Sequence, residues 1–234
     1  MATLNDLRTR TSEIQNDTDF VTNSESFYAQ AINDASRKIQ EMTKILYETS
    51  TISTVASTQS YDLPSNYMSM YDDNNCVIYT DSASEVSYPS WVTYDYLKNT
   101  MDDLTTATDA KPDYFWIQGD EISFYKIPTY TGADNVSIIH YAYPTTLSGA
   151  GDVSDLPDKY KLAIVYLACS IIYETNELYE LSDKFENKSM YELNRIDNTN
   201  DPLLTAKRST GNEYIGVSKR GVIGYGGMRG RGNY

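Results

Sequence analysis

Six basic residues, Lys207, Arg208, Lys219, Arg220, Arg229 and Arg231, fall within the last 33 residues of the chain, against one acid, Glu213, and among eight of its twelve glycines. Cationic groups spaced this way on a stretch with little apolar content suit one kind of chemistry, docking on an acidic surface. The rest of the chain holds 13 basic and 32 acidic residues, so a body of formal charge −19 is joined to an arm of +5. Such a body offers an acidic surface on every neighbouring copy. With Tyr214 and Tyr225 supplying flat rings, the candidate docking set is Lys207, Arg208, Tyr214, Lys219, Arg220, Tyr225, Arg229 and Arg231.

A second use of the same residues is nucleic-acid binding. Met228-Arg229-Gly230-Arg231-Gly232 has the arginine-glycine character of RNA-binding segments, and tyrosines, Tyr234 included, stack on bases. The repeat is short, and a body at −19 repels a polyanion held close to it, so a protein groove suits the arm better.

Elsewhere the residues that could do catalysis do not form constellations. His140 stands alone in Ile138-Ile139-His140-Tyr141, with no acid in register, and is expected to be a partly exposed strand residue. Asp72-Asp73 and Asp102-Asp103 lack the alternation and closing Glu of a calcium loop. No phosphate-cradling loop, nucleophile elbow or zinc-histidine pair is present. The sequence therefore predicts no catalytic residue, no metal and no cofactor, and a protein that is not an enzyme.

These residues need a scaffold, and its outline is an α+β fold. Thr3 to Gln15 predicts a short helix with Asp6 in its first turn. Thr22 and Glu25 have capping-box spacing, and Phe27, Ala31, Ala35, Ile39, Met42 and Leu46 then predict a helix over Ser24 to Glu48. From Thr51 the helix period disappears. Asp113 to Gln118 and Glu121 to Lys126 read as a hairpin about Gly119-Asp120, Val136 to Tyr143 as a strand ended by Pro144, Thr51 to Tyr61 and Cys76 to Thr80 as partners, and Tyr94 to Met101 as a helical turn. Asp155-Leu156-Pro157-Asp158 opens a further helix, apolar on nearly every face over its first third, which bends near Asn176 and continues to about Ile196. Asp201-Pro202 closes it. The expected organisation is a helical core of residues 1–50 and 151–200, an inserted antiparallel β subdomain of residues 51–150, and an extended basic Gly-rich arm of residues 201–234. Fully extended, the arm reaches on the order of 110 Å.

The 22 tyrosines fit both wet, self-associating surfaces and an antiparallel sheet. Cys76 and Cys169 read as buried small hydrophobes with no disulfide framework. The longest apolar run, Leu162 to Tyr173, is too short to span a bilayer and residues 1–10 lack a signal's apolar segment, so a soluble protein without a membrane partner is expected.

In the order of its parts the chain resembles the head-to-tail adaptor (connector) proteins of tailed bacteriophages. Tyr61-Asp62-Leu63-Pro64 looks like the family's lead into its β insertion. Lys111-Pro112-Asp113-Tyr114-Phe115 followed by Glu121-Ile122-Ser123-Phe124-Tyr125-Lys126-Ile127-Pro128 looks like its hairpin. Asp155-Leu156-Pro157-Asp158-Lys159-Tyr160 and the run Ala163 to Ala168 look like its returning helix, and the likeness covers about Ser24 to Leu193. It implies a homo-oligomeric ring of twelve copies in the virion neck, assembled in the host cytoplasm. The implied partners are the portal protein above, tail tube or nozzle proteins below, and DNA passing through the lumen without sequence-specific binding. The basic arm does not align with the family in general, so its docking role rests on its own charge and composition. A carbohydrate-binding β module built around Trp91 and Trp116 is a further alternative, which predicts that Trp91 or Trp116 is exposed, whereas burial of both favours a scaffold.

Overall fold

The computed structural model describes residues 1–20, 22–71, 75–101, 104, 108–109 and 111–200, with backbone alone at 108–109 and 197–200. Met1–Leu193 forms one unit, and in the second, Asn194–Tyr234, the described part is the end of the last helix.

Helix α1 runs Leu4–Gln15. The Thr3 hydroxyl accepts from the Asp6 N–H at 3.1 Å and the Asp6 carboxylate accepts from the Thr3 N–H at 3.1 Å, a reciprocal cap that satisfies two donors the helix cannot. Those bonds, the backbone one foremost, hold the Asp6 carboxyl below its ordinary value. Helix α2 runs Glu25–Thr43, shorter than predicted at its far end. Its cap is Ser24, whose hydroxyl accepts from the Phe27 N–H at 3.3 Å, rather than Thr22. Thr22 and Asn23 instead donate their N–H groups to the buried Asp17 carboxylate, both at 3.0 Å, and the Tyr28 hydroxyl reaches the same carboxylate at 3.1 Å. Burial, followed by the Asp17 charge, pushes the Tyr28 phenol up to about 12.

At the other end of α2, Lys44 takes a left-handed conformation, φ 49°, and the chain leaves as a strand. Buried Gln40 makes that exit possible. Its Oε1 accepts from the N–H groups of Ile45 and Leu46 at 3.2 and 3.0 Å, and its Nε2 donates to the Leu46 carbonyl at 2.8 Å.

The returning helices are α4, Lys161–Thr175, preceded by a 3-10 turn at Asp158–Tyr160, and α5, Tyr179–Asn200. The sequence predicts one bent helix. The structure breaks it, with Asn176 capping α4 and Glu177 at φ 60° before α5 begins. Helix α4 packs against α1 and α2, which bury Leu4, Leu7, Tyr28, Ala31, Ile32, Ala35 and Ile39. On α4 itself Ala163, Ile164, Val165, Leu167, Ala168, Cys169 and Ile172 are buried. Helix α5 covers another side: Ser189 donates to the Ala163 carbonyl at 2.9 Å, Ser170 and Ser182 hydroxyls meet at 3.0 Å, and Phe185 stacks on Tyr173. The helix that is apolar all round is therefore enclosed by its own chain. Each fully buried aliphatic side chain there contributes about 1.5–3 kcal/mol relative to exposure.

Between the helices lie β1 (Tyr47–Thr54), β2 (Ser60–Asp62), β3 (Tyr67–Met70), β4 (Val77–Thr80), β5 (Val86–Ser87), β6 (Ser90–Trp91), the short helix α3 (Tyr94–Thr100), β7 (Thr108–Asp109), β8 (Tyr114–Gln118), β9 (Glu121–Tyr125), β10 (Ile127–Pro128) and β11 (Gly132–Ala142). The long β11 pairs antiparallel with β1 on one side and with β3 and β4 on the other, and β5 extends β4. A second sheet runs β2-β9-β8-β6. Its hairpin β8–β9 turns on Gly119, at φ 63°, and Asp120, as the sequence predicts, since only glycine takes that conformation without strain. Cys76, Val77, Tyr79, Val136 and Ile138 from one sheet share a core cluster with Phe115, Ile122 and Phe124 from the other. Among the described residues the pairing is antiparallel except for two short parallel contacts, β6 with β8 and β7 with β10. The architecture is α+β.

Candidate interaction surfaces

The arm residues that the sequence singles out, Lys207, Arg208, Tyr214, Lys219, Arg220, Tyr225, Arg229 and Arg231, lie outside the described residues, as do Asp72-Asp73 and Asp102-Asp103. The described body shows what surfaces the rest of the chain offers.

His140 departs from expectation. It is fully buried, and an acid does stand in register, because Glu48 is its cross-strand partner with Oε1 3.6 Å from Nε2. Its Nε2 lies 3.0 Å from the Ser50 hydroxyl and its Nδ1 3.1 Å from the Tyr141 carbonyl, while the Tyr67 ring packs at 5.5 Å. Both ring nitrogens are thus committed to structural contacts. Among the described residues no group of three His, Cys, Asp or Glu could hold a metal ion, and no helix is long and apolar enough to cross a membrane. Burial pushes the Cys169 thiol up to about 12, and Cys76, like Cys169 in no disulfide, is also buried.

The outer end of the second sheet is rich in exposed aromatic surface. Trp91 in β6 is 59% exposed, and Tyr88, Tyr94 and Tyr96 are exposed beside it in sequence. Trp116 is buried, with Tyr94 packed 5.9 Å away. The two tryptophans therefore differ: one belongs to the core and the other to the surface. Exposed Trp and Tyr carry large contact area with few rotors and are favoured where a partner docks.

Helix α5 leaves Tyr179, Leu181 and Tyr191 exposed, as is Leu178 just before it. In the sequence Leu178 and Leu181 continue the heptad-like steps of Tyr160, Ile164, Leu167 and Ile171. The break at Asn176 and Glu177 resets the helical phase and turns them out.

A polar cleft of about 620 Å³ lies between α1, α2 and the loop before the 3-10 turn. Arg8 pairs there with Glu25 at 2.7 Å, and its buried Nε has no hydrogen-bond partner among the described residues. Arg37 lies over the Tyr143 ring at 5.9 Å and donates to the Thr146 hydroxyl at 3.5 Å. Asn33 exchanges two bonds with the Leu147 backbone, at 2.9 and 3.0 Å, which ties the loop to α2. The loop also serves α1, since the carbonyls of Asp152 and Ala150 accept from the N–H groups of Leu4 and Asn5 at 2.8 and 3.1 Å. Two guanidinium groups and two carboxylates, Glu25 and Asp34, are among its lining residues. No sequence pattern announced it, because its lining comes from α1, α2 and a loop over a hundred residues away.

The model of the SU10 adaptor protein family matches residues 2–206 of the chain. The match ends one residue before Lys207, so the whole basic set of the arm lies beyond it. No curated protein matches the chain.

Proposed function

The chain belongs to the SU10 adaptor protein family, and on that premise we propose that it forms a ring of twelve copies between the portal and the tail. A phage adaptor is a structural protein of the virion neck, joining head to tail. In the proposed assembly the DNA passes through the lumen without sequence-specific binding, and the outer surface is the platform on which tail tube or nozzle proteins dock. The ring assembles in the host cytoplasm and has no catalytic role.

The family match carries this reading, and the surfaces fit it. The helical core of residues 1–50 and 151–200 encloses its own apolar helix, which leaves the exposed α5 side chains as the apolar material for packing side by side. The β subdomain of residues 51–150 carries the Trp91 and Tyr88 surface outward for a tail protein. The arm of residues 201–234 docks on the portal or on a neighbouring subunit through Lys207, Arg208, Tyr214, Lys219, Arg220, Tyr225, Arg229 and Arg231. Net charge of −14 over the chain suits a conduit whose wall repels the genome rather than binding it.

Co-sedimentation of the purified protein with portal rings tests the proposal. Joint sedimentation and ring-shaped particles support it, and a monomer that never joins a portal overturns it. The arginine-glycine arm also suits nucleic-acid binding, and titration with short single-stranded DNA and RNA at two salt concentrations separates the two readings. Binding that weakens steeply with salt marks the nucleic-acid role.

A further inference from the structure

Strand β1 is the outermost strand of its sheet, hydrogen-bonded to β11 on one side. Opposite Thr49 stands Ile139, whose N–H donates to the Cys76 carbonyl at 2.7 Å and whose carbonyl accepts from the Tyr71 N–H at 3.3 Å, both beyond the far side of β11. The Ala142 N–H, by contrast, donates to the Leu46 carbonyl at 3.1 Å. In an antiparallel ladder this alternation gives Glu48, Ser50 and Ile52 the bonds to β11 and turns the main-chain groups of Tyr47, Thr49 and Thr51 outward. No described residue meets the outward groups of Thr49 or Thr51.

The edge is also long and unguarded. Its eight residues, Tyr-Glu-Thr-Ser-Thr-Ile-Ser-Thr, include neither Lys nor Pro, and Tyr47, Thr49, Thr51 and Ser53 are exposed. The other edge strands, β2, β3, β5 and β6, run only two to four residues. A free edge of this length is a template for an added strand.

We infer that this edge receives Tyr214–Ser218 of a neighbouring copy as an added strand. The segment places Tyr214, Ile215 and Val217, all strand formers, immediately before Lys219 and Arg220. Acids stand at both ends of β1: Glu48 near its start, and Asp134, whose carboxylate accepts from the Thr51 hydroxyl at 3.0 Å, near its end. Either strand direction thus brings the basic pair beside a carboxylate. The thirteen residues 201–213 span roughly 40 Å when extended, enough to cross to a sister subunit. The inference rests on the proposed ring, in which each arm has a sister body beside it and head-to-tail contacts close on themselves.

The test uses full-length single variants. Thr51→Cys protein is mixed with Ile215→Cys protein, with Tyr214→Cys and Val217→Cys in parallel to cover register, and the assembled rings are oxidised. A mixed disulfide dimer, mapped to position 51 and the arm, is expected. Adding Thr49→Pro to the Thr51→Cys partner is expected to abolish it, because proline there removes an outward donor and leaves the β11 ladder intact. A melting curve checks that this variant is folded. Two outcomes would overturn the inference and leave the ring standing: rings of the right mass with no mixed dimer, or dimers of the Thr51→Cys protein with itself alone. Absence of both ring and link would remove both.

Discussion

The side chain of buried Gln40 and the backbone of half-buried Leu46 exchange two hydrogen bonds, Nε2 to the Leu46 carbonyl at 2.8 Å and the Leu46 N–H to Oε1 at 3.0 Å. This single amide ends α2 and launches β1, so it fixes the junction between the helical core and the β subdomain. Replacing it leaves the part-buried N–H groups of Ile45 and Leu46 without their acceptor. Gln40→Ala is expected to cost about 2 to 3 kcal/mol in chemical denaturation. A loss below about 0.5 kcal/mol, the range of an ordinary surface substitution, would show that the clasp does not hold the junction.

His140 is held by Ser50, the Tyr141 carbonyl and the Tyr67 ring, so its role is structural. His140→Ala is expected to destabilise the fold by about 2 kcal/mol through lost packing and a stranded hydroxyl, with the mass of the assembly unchanged. Weakened assembly in a fully stable variant would place His140 at an interface instead.

Tyr28 sets an alkaline limit. Its phenol is raised from 10.0 to about 12 in the folded protein, so the folded state holds that proton more tightly than the unfolded chain does. The stability this contributes is complete below pH 10 and is lost as the pH rises through about 12. Burial shifts Tyr61, Tyr67, Tyr79 and Tyr173 in the same direction. Ultraviolet titration of tyrosinate is expected to show a late group of tyrosines that ionise together with unfolding, and Tyr28→Phe to flatten the alkaline loss of stability. Early, unfolding-independent ionisation of every tyrosine would contradict this.

Cys169 is buried between helices with its thiol raised to about 12, and Cys76 is buried in the sheet core. Alkylation near neutral pH is expected to label neither thiol until denaturant is added, which mass spectrometry reads directly. Rapid labelling of the native protein at Cys169 would mean that α4 opens far more readily than its packing implies.

What the sequence made legible was local. Gly119-Asp120 sits between two strand-like runs and forms the hairpin, and Thr3 and Asp6 cap α1 at the spacing that placed Asp6 in its first turn. The misreadings have tertiary causes. The apolar period of α2 continues through Leu46, but Gln40 captures the following N–H groups and stops the helix at Thr43. The spacing of Thr22 and Glu25 resembled a cap because Asp17, the group that actually binds the Thr22 N–H, is further up the chain. His140 looked solitary because Glu48 and Ser50 are some ninety positions away and meet it only through sheet register. The cleft at Arg8 and Arg37 has the same origin, and the exposed Trp91 was separable from buried Trp116 only by its place on a two-residue edge strand.

The arm is the part whose role charge alone suggested. A chain lacking Pro202–Tyr234 is expected to keep the folded body, since the described helices and sheets lie within residues 3–200, and to lose stable assembly with portal or sister subunits.

Native mass measurement of the full chain and of that truncated chain, each alone and mixed with a portal, tests the central claim most directly. The full chain should give a species of twelve times its 26.5 kDa that adds to the portal, and the truncated chain a folded monomer or a weakened ring. A full chain that stays monomeric in the presence of the portal would contradict the adaptor-ring account.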